Sequence, residues 1–345
     1  KEINNRLDEI RAMALNIYME QSAVRDGVTA EEVKGILLGM ASGQETLLGY
    51  FRRFIRNFEK RVGINRTVGS LRAYSNAYSH IERFLQAQYK LSDIPFSALD
   101  RSFIDKYDLY LRTERNLAPG TIINLTVQLK TIVGEAIADG IITASPFMGY
   151  EPVRPKHVQK YLTAEELHRI MTTPLHRQPL YHVRDMFLFS CFTGIPYGDM
   201  RLLTKDNLCL AEDGIWWIKS ARQKTKIEFE IPLLDLPLQI LKKYSGTAPG
   251  DKLLPMYCNS TLNLYLKEIT RICHIDRPLV FHVARHTYAT EITLSHGVPL
   301  ETVSRMLGHS QIETTQIYAK VTDEKIDADT KALNRKISER FSVVI

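Results

Sequence analysis

The sequence predicts a multidomain, mainly α-helical protein that contains one small antiparallel β-element. The chain of 345 residues is longer than a single hydrophobic core usually serves, so two or more domains are expected. Apolar residues recur at helical spacing through most of residues 45–147. Only residues 214–220 and 227–232 have the composition typical of strands, so the predicted sheet is small.

Residues 1–44 are predicted to form a helical coupler. Apolar side chains in residues 3–17 follow the three-and-four spacing of one helix face, and Thr29 is expected to cap a second short helix. This segment is too small to bury a core of its own. Because the chain begins at Lys1 rather than at methionine, we expect an N-terminal domain to precede the coupler in the complete protein.

Residues 45–148 are predicted to form a separate helical domain. Thr67 is placed to cap the second of its helices, and the Pro119-Gly120 pair separates the third from the fourth. A bundle with its basic first helices facing outward is the simplest packing for these segments. The predicted helices span residues 47–62, 68–88, 101–115 and 120–139.

Residues 149–160 contain prolines and several basic side chains, and they are predicted to be an interdomain linker. Residues 161–345 then form the last domain. Its first helix is expected to begin with a capping box that joins Thr163 and Glu166.

An apolar helix at residues 184–192 precedes the two predicted strands, which a turn at residues 222–226 connects. Helical patterning returns from residue 259 onward. The tail, residues 323–345, has the apolar spacing of an amphipathic helix, and we expect this helix to dock on a neighbouring subunit.

The net charge of +6 suits an anionic partner, although charge alone does not identify one. Two interpretations of the basic residues in the first helices remain open. Either they form an ordinary solvated face, or they lie along DNA phosphates and bind with an affinity that falls as salt rises. The candidate DNA-binding residues are Arg52, Arg53, Arg56, Lys60, Arg66 and Arg72.

The four cysteines show no CxxC spacing, which favours reduced thiols over a disulfide framework or a metal site. No secretory signal opens the chain, and no segment has the apolar length needed to cross a bilayer. A cytoplasmic location without membrane contact is therefore expected. The cysteines are Cys191, Cys209, Cys258 and Cys273.

The densest set of chemically capable side chains lies in residues 282–318, HVARHTYATEITLSHGVPLETVSRMLGHSQIETTQIY. Tyr318 is the candidate nucleophile, and because a phenol has a pKa of about 10 it needs a base to take its proton. His309 follows a Leu-Gly turn that can bring the next helix back toward it. His282 and Arg285 share a helix face, so the histidine can handle a proton while the arginine clamps phosphate oxygens.

Lys224 lies in the turn between the two predicted strands. Either it is a solvated turn lysine, or its ammonium group reaches a scissile phosphate and protonates the departing 5′ oxygen. His286, next to Arg285, is expected to pack or cap locally rather than to take part in chemistry.

Three segments, TGIPYGDM, HVARH and LGHSQIETTQIY, resemble the sequence boxes of the tyrosine recombinases, or phage-type integrases, in the expected order. The resemblance covers about residues 45–335. It implies a helical core-binding (SAM-like) domain and a mixed α/β catalytic domain with a small antiparallel sheet, which close around a DNA duplex. It also implies catalytic roles for Tyr318, Arg285, His282, His309 and Lys224.

The same resemblance implies a site-specific DNA recombinase that integrates and excises a mobile element. The tyrosine attacks a backbone phosphate, forms a 3′-phosphotyrosyl link and frees a 5′ hydroxyl, without ATP, a metal ion or any other cofactor. The expected partners are double-stranded DNA at recombination sites, further copies of the chain and accessory DNA-bending proteins. The chain is expected to be a monomer when free and a homotetramer on DNA.

The sequence departs from the family pattern at Pro196, where the first catalytic arginine is expected, while the supporting acid that follows is retained as Asp199. Proline supplies neither a charge nor a hydrogen-bond donor. Arg184, Arg201 and Arg222 are candidates to replace the missing arginine. Arg184 is favoured because it would stand beside the site if its helix runs antiparallel to the one after the turn, and because a charge next to an apolar run is unusual. The alternative is that Arg184 is a helix-end arginine paired with Asp185 or another acid. This drift resembles the integrases of conjugative transposons, which commonly carry an upstream arm-binding domain.

Two alternative functions remain open. A type IB topoisomerase uses a similar set of side chains but relaxes DNA without joining two sites. In a non-catalytic DNA-binding protein, Pro196 would mark a dead site. Formation of a covalent protein–DNA adduct would exclude the non-catalytic DNA-binding protein. Relaxation of a plasmid that lacks any recombination site would point to the topoisomerase.

Overall fold

The computed structural model describes residues 2–22, 45–153, 161–277 and 279–318, together with positions 30, 33, 327, 330, 331, 333–335 and 337. The chain divides into two compact units, Lys1–His157 and Val158–Ile345. The division falls inside the segment predicted to be a linker, of which residues 154–160 lie outside the described residues.

The N-terminal segment contains one long helix, α1 (Glu2–Ser22). It lies where the apolar spacing predicts a helix, and Ile17 is buried while Ile3 and Leu7 are exposed. The second short helix, with its cap at Thr29, lies outside the described residues apart from positions 30 and 33.

The rest of the first unit is a helical bundle, as the sequence predicts. The Thr67 hydroxyl accepts a hydrogen bond from the Ser70 N–H at 3.1 Å, which caps the second helix of the bundle. Pro119 occupies the first turn of the fourth helix, where its missing N–H costs nothing. The helices are α2 (Leu47–Glu59), α3 (Val68–Phe84), α4 (Arg101–Thr113) and α5 (Pro119–Ala138).

Aromatic and aliphatic side chains form the core of this bundle. The Phe84 ring lies 5.3 Å from the Phe103 ring and 5.1 Å from the Tyr107 ring, which joins α3 to α4. On α2, Leu48 and Phe51 are buried. The basic side chains of that helix face solvent, so the predicted outward orientation of the basic helices is confirmed.

The second unit combines helices with one sheet, and its secondary structure follows the predicted order. The Thr163 side chain accepts from the Glu166 N–H, and the Glu166 carboxylate accepts from the Thr163 N–H, which confirms the predicted capping box. The main elements are α6 (Ala164–Thr172), α7 (Gln178–Thr193), α8 (Tyr197–Met200), β1 (Leu208–Leu210), β2 (Trp216–Ala221), β3 (Glu228–Pro232), α9 (Asp235–Lys243), α10 (Asn259–Ile272), α11 (Val283–Thr287), α12 (Leu300–Met306) and α13 (Glu313–Gln316).

The sheet is antiparallel with strand order β1-β2-β3, and Ile218 on β2 pairs with Ile231 on β3. Both predicted strands are present. The sequence did not predict β1, because three residues are too few to show an alternating pattern. The turn between β2 and β3 contains Arg222 and Lys224, and Arg222 reaches the Leu307 carbonyl, one residue beyond α12.

Helix α7 forms the centre of this unit, because it is buried on nearly every side from Leu180 to Thr193. It begins six residues before the predicted start at residue 184. It ends at Gly194, which has a left-handed φ of 69°. The chain therefore turns at Gly194 and enters α8, which begins directly after Pro196.

The tail is described only in part. Positions 327, 330, 331, 333–335 and 337 are helical, in agreement with the predicted tail helix, and Leu333 and Ile337 are exposed. The remainder of the predicted tail helix lies outside the described residues. Among the helices that the structure describes, none has the length and apolar content that spanning a bilayer requires.

Candidate active site

Tyr318 lies two residues beyond α13 and is 7% exposed. Its ring centroid is 5.1 Å from that of His286 in an edge-on arrangement and 6.4 Å from that of His309 in a parallel one. Burial raises the pKa of the Tyr318 phenol, and the charge of Arg285 and a hydrogen bond from it partly offset that rise. The phenol therefore needs a proton acceptor before it can attack a phosphate.

Arg285, on α11, is the most thoroughly buried cation of the cluster at 3% exposure. Its guanidinium donates to the Gly194 carbonyl at 2.9 Å and to the Leu307 carbonyl at 2.6 Å, and it contacts His309 Nε2 at 2.9 Å. Burial lowers its pKa to about 10, so it remains charged at neutral pH. These hydrogen bonds hold the charged Arg285 guanidinium in one orientation.

His309 is held between two partners that determine its tautomer. Burial, followed by the charges of Arg285 and Arg222, lowers its pKa to about 4, so the ring is neutral at neutral pH. A guanidinium can only donate, so Nε2 accepts from Arg285, and Nδ1 therefore carries the proton and donates to Thr315 Oγ1 at 2.8 Å. The Nε2 lone pair can take a proton only when its contact with Arg285 is released.

Two glycines allow the close approaches that build this site. A Cβ at Gly194 would lie 2.5 Å from Tyr288 Cδ1, and one at Gly308 would lie 2.7 Å from Arg222 Cγ. Both glycines have a positive φ, 69° and 63°, which side-chain-bearing residues rarely adopt. The Leu-Gly-His and Thr-Gly segments therefore let the arginines reach the centre of the cluster.

Arg222 reaches the same centre from the turn between β2 and β3. Its Nε lies 2.9 Å from Asp199 Oδ2, and its Nη1 donates to the Leu307 carbonyl at 3.4 Å. Asp199 also accepts from the Gln223 N–H at 2.9 Å, so this buried carboxylate anchors the turn as well as the arginine. Arg222 and Arg285 share one carbonyl acceptor and therefore lie side by side.

Arg184 does not reach this cluster, so the expectation that it stands beside the site is wrong. Its Nη1 donates to the Thr173 carbonyl at 3.3 Å, and its guanidinium lies over the Tyr181 ring at 4.8 Å. Because α7 begins at Gln178, Arg184 lies in mid-helix, about 15 Å from Gly194 at 1.5 Å per residue. Arg201, the third candidate, is exposed with its guanidinium over the Tyr197 ring.

The remaining candidates lie at the edge of the cluster. Lys224 is exposed, one residue after the Gln223 amide that Asp199 holds. His282 is also exposed at the start of α11, with its ring centroid 5.0 Å from that of His286. The structure thus brings Tyr318, Arg285, His309, Asp199 and Arg222 into contact and leaves Lys224 and His282 accessible beside them.

The charge balance of the cluster favours an anionic ligand. Two adjacent guanidiniums are both largely withdrawn from water, and Arg222 pairs with the carboxylate of Asp199 while Arg285 contacts two carbonyl oxygens and an imidazole nitrogen. Buried charge that is not fully compensated is costly, and a phosphate diester supplies the missing negative charge in a shape that fits an arginine fork. The arrangement can bind a phosphate beside a phenol.

In the first unit, the candidate DNA-binding residues lie on the surface but differ in their partners. Arg52 donates to the Tyr78 hydroxyl at 2.6 Å, Arg53 pairs with Glu45, and Arg66 lies 5.3 Å from the Phe58 ring centre. The three remaining side chains are exposed: Arg56, Lys60 and Arg72.

Comparison with known families agrees with this fold. Residues 46–152 match the Phage integrase SAM-like domain, and residues 160–325 match the Phage integrase family. The tyrosine recombinase XerD of Listeria monocytogenes is 25% identical over 273 residues, 74% of this chain and 89% of the relative. XerD of Staphylococcus saprophyticus is 26% identical over 297 residues, which cover 82% of this chain and 96% of the relative.

Solved structures share the fold at lower identity. The Tn1549 transposon integrase in complex with transposon right end DNA aligns with a TM-score of 0.65 at 19% identity, covering 84% of this chain and 99% of that one. A lambda integrase dimer bound to a COC′ core site aligns with a TM-score of 0.65 at 18% identity, covering 81% and 100%.

A SAM-like helical domain followed by a phage integrase domain identifies the chain as a tyrosine recombinase. The two matched domains together cover most of the chain, which belongs to the phage integrase family. It is a site-specific DNA recombinase, as its sequence predicts.

Proposed function

We propose that this recombinase cleaves and rejoins DNA through Tyr318, with Arg222 in the role of the arginine that is absent at Pro196. The observation that carries the proposal is the placement of both guanidiniums, Arg222 and Arg285, on the Leu307 carbonyl. Tyr318 receives a hydrogen bond from the second of them. A phosphate bound in that fork lies next to the phenol.

The reaction exchanges one phosphodiester bond for another. The Tyr318 oxygen forms a bond to phosphorus as the bond to the 5′ oxygen breaks, which leaves a 3′-phosphotyrosyl link and a 5′ hydroxyl. Arg222 and Arg285 stabilise the charge that grows on the non-bridging oxygens. Return attack by a 5′ hydroxyl reverses the step, so the bond energy is retained.

Two protons move in this step. The phenol proton goes to an imidazole, either that of exposed His282 or that of neutral His309 once its Nε2 is released from Arg285. The departing 5′ oxygen takes a proton from Lys224, whose turn is anchored by Asp199. Asp199 thereby supports both the arginine and the lysine.

A duplex of the protein's own attachment site, nicked just downstream of the cleavage position, tests this proposal. The short 5′ product diffuses away and traps the covalent intermediate. We expect wild-type protein to form an adduct that resists denaturation, and Tyr318→Phe to form none because the reacting oxygen is gone.

The control is Tyr257→Phe, which removes a hydroxyl from a partly exposed tyrosine of the same unit and should leave the adduct unchanged. Wild-type protein that binds this duplex without forming an adduct would contradict the proposal. An adduct that persists in Tyr318→Phe would assign the nucleophile to another residue.

In the cell, we propose integration and excision of a mobile element, with double-stranded recombination sites as the substrate. Support comes from the fold shared with the Tn1549 transposon integrase. A homotetramer on DNA, accessory DNA-bending proteins and association with the nucleoid belong to the same proposal. Joining of two sites by purified protein, rather than relaxation of a plasmid without such sites, supports a recombinase over a topoisomerase.

The exposed basic face of the first unit is proposed to bind DNA phosphates. Changing Arg56, Lys60 and Arg72 together to alanine is expected to make the negative slope of log K, the DNA-binding constant, against log salt shallower. The decrease in steepness should be about 0.9 per lost phosphate contact, roughly 3 in all. The slope is measured by fluorescence anisotropy at several salt concentrations. A control with Arg56→Lys and Arg72→Lys keeps the charges and should keep the slope. An unchanged slope in the alanine variant would place DNA elsewhere.

A further inference from the structure

The nucleophile has a ring neighbour to which the reaction assigns no role. His286 is half-buried, and its ring centroid lies 5.1 Å from that of Tyr318 at an interplanar angle of 65°. The ring of His282 also lies 5.0 Å from that of His286, at 84°. His286 therefore contacts both the proposed nucleophile and one of the two proposed proton acceptors.

Local backbone structure does little to orient the Tyr318 side chain. Helix α13 is four residues long, and Tyr318 follows it by two positions, with its N–H donating to the Thr315 carbonyl at 3.0 Å. The ring is nevertheless nearly buried. Its orientation must therefore come from the side chains around it, of which His286 and His309 contribute rings.

We propose that His286 is a positioning residue that fixes the ring of Tyr318 for in-line attack, an assignment that rests on the proposed function. Its place in the chain supports this role. His286 follows Arg285 directly on α11, and the hydrogen bonds of Arg285 to Gly194 and Leu307 hold that short helix in place. One anchored helix thus sets both the phosphate clamp and the nucleophile, and so fixes the distance between them.

The role predicts a loss of cleavage rate without a loss of DNA affinity. His286→Ala removes the ring contact and is expected to slow adduct formation on the nicked duplex by about 10-fold to 100-fold, since misplacement by about 1 Å costs on that order. His286→Phe keeps a ring and should retain the rate within about fivefold. His296→Ala, which removes an exposed histidine of the same unit, is the matched control and should leave the rate unchanged.

A second measurement separates positioning of the tyrosine from general damage to the site. In a Tyr318→Phe background, hydroperoxide can attack the phosphorus in place of the phenol, so that the bond to the 5′ oxygen breaks and that oxygen is protonated. This cleavage uses the arginines but not the tyrosine. We expect His286→Ala to leave the peroxide-dependent rate unchanged while it slows the tyrosine-dependent rate.

Equal losses in the two assays would overturn the assignment, because His286 would then act on the phosphate-binding groups. No loss in either assay, or a His286→Phe variant as slow as His286→Ala, would also overturn it. A wild-type protein that forms no adduct refutes the proposed function itself, and the assignment of His286 then fails with it.

Discussion

Replacing Arg222 with alanine is expected to slow formation of the Tyr318–DNA adduct by about 100-fold to 1,000-fold, the usual cost of losing one group that stabilises transition-state charge. The side chain lies beside Arg285 on the Leu307 carbonyl, and no arginine is available at position 196. The measurement is the single-turnover rate on the nicked duplex at saturating protein, which separates chemistry from binding.

Arg184→Ala is the matched control, since the sequence favours this residue for the same role. Its guanidinium is occupied by the Thr173 carbonyl and the Tyr181 ring, so its removal should leave the cleavage rate within about threefold of wild type, the range of a change that makes no transition-state contact. If Arg184→Ala were the slower variant, the assignment of Arg222 would be wrong.

Asp199→Ala is expected to lower the free energy of unfolding by about 3 kcal/mol, because breaking a buried ion pair leaves an uncompensated charge. The side chains of Arg222 and Asp199 are only 15% and 5% exposed. The change also removes the acceptor for the Gln223 N–H, so the turn that carries Lys224 loses its anchor and the cleavage rate should fall as well. Urea denaturation measures the stability.

Glu230→Ala, on strand β3 of the same unit, provides a comparison. Its pair with Lys219 is exposed, and removing it should cost no more than about 0.5 kcal/mol. If Asp199→Ala and Glu230→Ala had equal urea denaturation midpoints, a structural role for the buried pair of Arg222 and Asp199 would be contradicted.

Much of the fold could be predicted because its signals are local. The cap at Thr67 and the capping box of Thr163 and Glu166 appear in the sequence as a polar residue at the right offset before an apolar run, and the structure has the corresponding hydrogen bonds. Strand β1 lacks such a signal, since Leu208–Leu210 is held by pairing to β2 rather than by its own pattern.

The site could be predicted only in part, for a related reason. Tyr318, His309 and Arg285 lie within one continuous segment whose spacing identifies them. Arg222 comes from a hairpin some sixty residues earlier, and nothing in its local sequence separates it from Arg184 or Arg201. Only the folded chain shows that Asp199 and Gly308 guide this arginine to the Leu307 carbonyl.

The departure at Pro196 has a physical explanation in this arrangement. Pro196 immediately precedes α8 with a φ of −77°, close to the angle that its ring imposes, so it suits the start of a helix. The positive charge that is absent at position 196 is supplied instead by Arg222, in the turn between β2 and β3. The carboxylate of Asp199 lies close enough to hold the Arg222 side chain in the cluster.

Arg222 is proposed to supply positive charge to the scissile phosphate, and a duplex with a methylphosphonate at the cleaved position tests this role most directly. Replacing one non-bridging oxygen with methyl removes the negative charge that the arginine is proposed to stabilise. We expect Arg222→Ala to be about 100-fold slower than wild type on the phosphate duplex, yet nearly as fast as wild type on the methylphosphonate duplex. An equal loss on both duplexes would show that Arg222 does not act on that charge, and would contradict the account.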